Sequence, residues 1–95
     1  MSRLFARPTG SLTTSAFYVL LSLIAEDRHR SDILRDVVLS SAGRVKMGPG
    51  ALNLTLRRLA DSGLVVEVVN RFRLTREGRA ELALELEKLA RSRRR

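Results

Sequence analysis

The stretch Gly48-Pro49-Gly50-Ala51-Leu52-Asn53-Leu54-Thr55-Leu56-Arg57-Arg58-Leu59-Ala60-Asp61-Ser62-Gly63-Leu64-Val65 decides the fold. Leu52, Leu56 and Leu59 recur at i, i+4 and i+7, which gathers them into one apolar stripe at about 100° per residue. Asn53, Leu54, Arg57, Arg58 and Asp61 fall opposite that stripe. Pro49 suits a first helical turn, where its missing N–H costs nothing, and Gly63 suits the left-handed residue just past a helix end. The spacing therefore predicts a helix over about 50 to 62 with a β-branched strand directly behind it. By spacing alone the two arginines fit a solvated surface as well as a binding face, so the remainder of the chain must decide.

Upstream, Ala16 to Ala25 is the most apolar segment, and a helix is expected over 14 to 26, capped by Ser11 or Thr13. Phe17, Leu20, Leu21 and Ile24 share one face of it, and Val19 and Leu23 form a second. A helix so apolar around its circumference is usually buried on more than one side, which a small monomer rarely provides. The polar break Glu26-Asp27-Arg28-His29-Arg30 follows, with Ser31 read as the cap of a helix over 32 to 40 that buries Ile33, Leu34, Val37 and Val38. Arg44-Val45-Lys46-Met47 reads as a short alternating strand. Downstream, the runs 64 to 69 and 71 to 74 read as a hairpin turning at Asn70. Thr75 caps a last helix over 76 to 91, where Leu82, Leu86 and Leu89 again fall at i, i+4 and i+7. Residues 1 to 10 show no periodicity and read as a flexible arm, and Arg91 to Arg95 as a frayed basic tail.

The chain has 95 residues, 44% of them hydrophobic, enough for one domain with one core. Its 18 basic and 10 acidic residues leave a net charge of +8, and Lys46 and Lys88 are the only lysines. Arginine's planar fork matches phosphate oxygens and guanine edges, so the natural partner is a polyanion, nucleic acid ahead of membrane. The absence of cysteine excludes disulfides, thiolate metal sites and cysteine nucleophiles, and suits a reducing cytoplasm. Arg3 and Arg7 ahead of an apolar run raise the alternative of a secretory signal, but cleavage near Ala25 would discard the main packing surface. That run is also too short to span a membrane.

Catalytic and cofactor chemistry finds little material. The single His29 cannot build a triad with any cysteine, and no His/Asp/Glu group has metal-ligand spacing. Glu81, Glu85 and Glu87 sit on a charged helix where pairing with Lys88 and Arg91 explains them. The glycines form no phosphate-cradling loop. The expectation is therefore no enzyme, no cofactor and no metal.

The order helix, helix, short strand, helix, hairpin, long helix resembles the PadR family of bacterial transcriptional regulators over about residues 11 to 90. Leu12-Thr13-Thr14-Ser15-Ala16-Phe17-Tyr18-Val19-Leu20 looks like the family's opening helix. Gly48-Pro49-Gly50-Ala51-Leu52 is similar to its signature Gly-Pro-Gly-Thr-Leu-Tyr, and Arg73-Leu74-Thr75-Arg76-Glu77-Gly78-Arg79 to the segment closing its wing. The resemblance implies a mainly α fold with a small β-hairpin, a winged helix-turn-helix over 11 to 75 followed by a dimerisation helix and basic tail over 76 to 95. It also implies a homodimer that binds an operator, usually as a repressor, and in many members a small aromatic effector near the dimer seam, where Phe17 and Tyr18 would lie. The chain departs from the family at Asn53, where tyrosine is usual, at Leu54, where a polar or basic residue is usual, and at His29-Arg30-Ser31, where His-Gly-Tyr is common. The wing is short and lacks a Gly/Pro-rich tip, so deep minor-groove insertion is not expected.

Residues 44 to 79 hold eight basic residues against three acids, a local charge of +5. The expected DNA-contacting set is Lys46, Ala51, Asn53, Leu54, Arg57, Arg58, Arg71 and Arg73. Within it Arg57 and Asn53 face bases, with Asn53 suited to an adenine edge, and Arg58, Arg71 and Arg73 face phosphates. Phe17, Leu20, Leu82, Leu86 and Leu89 are the expected dimerisation set. These readings describe a sequence-specific regulator on double-stranded DNA, cytoplasmic and associated with the nucleoid. The alternative, motivated by an outward Leu54 and the short wing, is a winged helix that binds another protein. RNA binding or non-specific chromosomal binding is a third.

Overall fold

The computed structural model describes residues 12–93. The arm over 1 to 10, the cap option at Ser11 and the tail residues Arg94 and Arg95 lie outside the described residues. Six elements follow in chain order: α1 (Thr14–Ser22), α2 (Arg30–Ser40), α3 (Pro49–Asp61), β1 (Val65–Val68), β2 (Arg71–Leu74) and α4 (Arg76–Ser92). This is a mainly helical winged helix-turn-helix fold with an antiparallel hairpin and a long C-terminal helix.

The apolar stripes meet in one core. Val19, Leu20 and Leu23 from α1 and the turn after it pack with Ile33 and Val37 of α2 and with Leu52, Leu56 and Leu59 of α3. Val65, Phe72 and Leu74 close the hairpin side and Leu82 of α4 closes the other. In the hairpin Val65 opposes Leu74 and Val68 opposes Arg71. Val69 and Asn70 make the two-residue turn at φ +48° and +63°, the signs of a type I′ turn whose twist matches the strands. Asn70 tolerates this region readily, whereas β-branched Val69 occupies it at a steric cost.

Three helix ends and one missing strand correct the sequence reading. α1 stops at Ser22, four residues short of Glu26, because the Ser22 carbonyl accepts a hydrogen bond from Arg28 Nε at 2.6 Å instead of from an amide one turn on. α2 opens at Arg30 with His29 as its N-cap, so Ser31 is inside the helix and caps nothing. The segment 44 to 47 forms no strand: the Val45 amide donates to the buried Ser41 hydroxyl at 2.9 Å, which leaves no ladder to join. Arg91 and Ser92 belong to α4 and are not frayed tail.

Thr75 alone separates β2 from α4, and its hydroxyl is used twice. It accepts from the Gly78 amide at 2.9 Å as the N-cap of α4, and donates to the Gly63 carbonyl at 2.6 Å beyond the end of α3. Gly78 is buried against the same carbonyl run, and a Cβ there would overlap the Leu64 carbonyl oxygen and press on the Leu74 side chain. On an open helix Gly→Ala gains about 1 kcal/mol. At Gly78 the sign reverses, and Gly78→Ala should lose about 1–3 kcal/mol in urea unfolding; a gain would mean that α4 stands clear of the α3–β1 junction.

Candidate nucleic-acid interface

α3 is amphipathic, and its polar face is open. Leu52, Leu56 and Leu59 are buried, while Ala51, Asn53, Leu54, Arg57 and Arg58 are exposed, Leu54 to 47%. Gly48 caps the helix with extended backbone, Pro49 occupies the first turn and Gly63 follows the last at φ +79°. Arg57 and Arg58 make no ion pair or hydrogen bond among the described residues, so both guanidinium groups keep all their donors. Lys46 is exposed in the loop that enters α3. The helix thus offers two free cations one residue apart, beside an amide and an apolar side chain.

The wing divides its residues by strand alternation. Phe72 and Leu74 point into the core, and Arg71 and Arg73 point out. Arg71 is unpaired among the described residues, but Arg73 is not. Its Nε lies 3.2 and 3.1 Å from the two oxygens of Asp27 and its Nη2 2.9 Å from Oδ2, a two-pronged grip across 46 residues of sequence. That hydrogen bonding holds the Asp27 carboxyl below its ordinary value; partial burial opposes the shift, and the charges of Arg73 and Arg71 add to it. Arg73, expected on phosphate, is thus already engaged by Asp27, which fixes its fork while the side chain stays 53% exposed.

The turn between α1 and α2 supplies residues the sequence reading missed. Arg28 pairs with Phe72 through two backbone hydrogen bonds, Phe72 N to Arg28 O at 2.8 Å and Arg28 N to Phe72 O at 3.1 Å, extending the hairpin by one antiparallel bridge. His29 donates from Nδ1 to the Asn70 carbonyl at 3.0 Å, so its side chain holds the wing tip, while it serves as the N-cap of α2 through its backbone alone. Arg30 donates from Nε to Asn53 Oδ1 at 2.7 Å, and its guanidinium lies 4.8 Å from the centre of the Phe72 ring. A run of charged residues with one histidine carries no apolar period, which is why it reads as a break. The one signal available was alternation, Arg28 and Arg30 flanking His29. Asn53, expected to face an adenine edge, has its oxygen engaged by Arg30.

The expected dimerisation set separates by burial. Leu20 and Leu82 are fully buried in the core of the protomer itself, which leaves them no surface to offer a second subunit, while Phe17 is 9% exposed at the edge of that core. Leu86 and Leu89 are 40% and 47% exposed on the far half of α4. Phe17 and Tyr18 meet edge to face with centroids 5.1 Å apart. With Leu12, Thr14, Glu85 and Leu89 they line a cleft of about 150 Å³, smaller than the roughly 300–1,000 Å³ usual for ligand pockets. Among the described residues no helix is long and apolar enough to cross a membrane.

The Asp27–Arg73 pair makes the wing sensitive to acid. Because folding lowers the Asp27 pKa from its ordinary 3.8, the pair's contribution is complete above that value and is lost as pH falls through the depressed folded value. Acid titration below about pH 4 should therefore raise hydrogen exchange at the β2 amides. In Asp27→Asn those amides should exchange faster at neutral pH and lack this acid-induced rise; an unaltered acid response would show that another carboxylate governs the wing.

No family model matches the sequence, and no curated protein matches it either. Among solved structures, the chain is similar to a transcriptional regulator from Clostridium thermocellum, Cth-833, with a TM-score of 0.66 and 19% sequence identity over 83% of this chain and 85% of that one. At that identity the likeness is one of fold, over most of the length of both proteins.

Proposed function

We propose that the protein is a homodimeric, sequence-specific DNA-binding transcriptional regulator, acting as a repressor on an inverted-repeat operator. The observation that carries this reading is the open face of α3, where Arg57 and Arg58 stand without partners among the described residues, beside Asn53 and Leu54. Such a helix fits the major groove, with Arg57 directed to a base edge and Arg58, Arg71 and Lys46 to phosphates. Leu54 suits a thymine methyl. The fold shared with a transcriptional regulator and the resemblance to PadR regulators support the same reading, as does the excess of arginine. The protein would work in the cytoplasm, on the nucleoid.

Two subunits are needed because one reading helix discriminates poorly, whereas two set about 34 Å apart read adjacent half-sites together. Leu86 and Leu89 are the exposed apolar residues that a second α4 would cover. A small aromatic effector would have to bind where two copies of the Phe17–Tyr18 cleft adjoin, since one cleft alone is too small. The exposure of Leu54 and of Val66, 47% and 43%, also suits a winged helix that docks on a protein.

Selection of bound duplexes from a random DNA pool tests the reading, with an enriched inverted repeat as the expected result. Arg57→Ala should relax the preference at one position of each half-site, at a cost of about 1–3 kcal/mol, and an unchanged preference would remove Arg57 from base reading. With six to ten phosphate contacts, affinity should fall about 10³- to 10⁵-fold between 50 and 200 mM salt. Binding that survives such salt would favour the protein-docking alternative. Leu86→Glu should convert the dimer to monomer in light scattering, and an unaltered dimer would refute the α4 interface.

A further inference from the structure

Arg30 lies between the two parts of the candidate interface. It belongs to α2, yet its guanidinium spans from the Phe72 ring of the wing to the Asn53 side chain of α3. Phe72 is 4% exposed and held by both backbone hydrogen bonds to Arg28, so the surface under Arg30 is fixed. No carboxylate among the described residues competes for Arg30. Stacking on an aromatic face restricts the guanidinium without consuming its donors.

The chemistry of this contact settles how Asn53 is turned. Arginine has donors only, so the amide must direct its oxygen to Nε and its NH₂ group elsewhere. An asparagine reads adenine by accepting from N6 while donating to N7, which requires both ends of the amide. Here the accepting end already receives a charge-assisted hydrogen bond, and the oxygen's remaining lone pair lies beside a full positive charge. An exocyclic amino group, itself a donor with positive hydrogens, is poorly matched to that environment. Guanine presents two acceptors, N7 and O6, on the same edge. The Asn53 NH₂ group and the unused Nη donors of Arg30 form an all-donor surface that fits it.

We propose that Arg30 is a positioning residue for base specificity: by engaging the Asn53 oxygen it makes the Arg30–Asn53 pair a reader of guanine, where an unassisted asparagine would read adenine. The inference rests on the DNA-reading function proposed above, and the two are tested apart by comparing random-pool selections for the full chain and two variants. The wild type should enrich guanine over adenine at one position of each half-site by about tenfold or more. Arg30→Met keeps an apolar stem over Phe72 but has no donor, so it should release the Asn53 oxygen and reverse the preference to adenine at that same position. Asn53→Ala should erase the guanine preference there without creating one for adenine. Thermal melting of both variants establishes that they fold, and a change of base identity is not an effect that lost stability produces.

A wild-type preference for adenine, retention of guanine by Arg30→Met, or retention of guanine by Asn53→Ala would each overturn the pairing while leaving DNA reading in place. Absence of any enriched sequence with the wild type would overturn the DNA-reading function itself, and the pairing with it.

Discussion

The two backbone hydrogen bonds between Arg28 and Phe72 are the constraint on which the rest of the structure depends. A two-stranded hairpin alone in water is marginal, and the wing of this chain has only four residues per strand. Joining Arg28 to β2 adds a third line of backbone and ties the hairpin to the turn between α1 and α2. The side chains around that junction point the same way. Arg28 returns to the Ser22 carbonyl, His29 reaches the turn at Asn70, and Arg30 covers the ring whose other face fills the core. Because α3 packs on α1 and α2 through its three leucines, the wing and the exposed face of α3 are held in one frame.

What the sequence made legible follows from what is local. α3 was readable because its leucines keep a helical period and Pro49 and Gly63 punctuate it, and the hairpin because β-branched runs meet at Asn70. The Arg28 bridge was not, since it joins residues from opposite halves of the chain with no apolar rhythm on the Arg28 side. The same distance in sequence concealed Asp27 from Arg73: charge type suggested a phosphate, and only the fold brings the carboxylate within 2.9 Å. Leu20 and Leu82 illustrate another limit. Periodicity states that a residue is covered but not by what, and both are covered by their own protomer. The predicted strand at 44 to 47 failed for a different reason, because alternation over four residues is outweighed by one buried hydroxyl that takes the Val45 amide.

Charge is spent unevenly over the molecule. Arg28, Arg30 and Arg73 are occupied in building the junction, whereas Arg57, Arg58 and Arg71 are left without partners among the described residues. An arginine used structurally near an anionic ligand still contributes to the field, but its geometry is set in advance. On α4, Arg91 pairs with Glu87 at 3.9 Å at the surface, where such pairs contribute little, whereas Lys88 at 3.8 Å meets a Glu85 whose side chain is only 17% exposed.

The double use of the Thr75 hydroxyl has a mechanical meaning. β2 ends at Leu74 and α4 begins at Arg76, so no slack separates them, and the same oxygen is fastened to Gly63 behind α3. Three elements share one rivet, and Gly78 lets the α4 backbone lie flush against it. A force applied at the distant end of α4 has no loop in which to dissipate. The seventeen residues of that helix act as a lever arm whose fulcrum is the root of the wing.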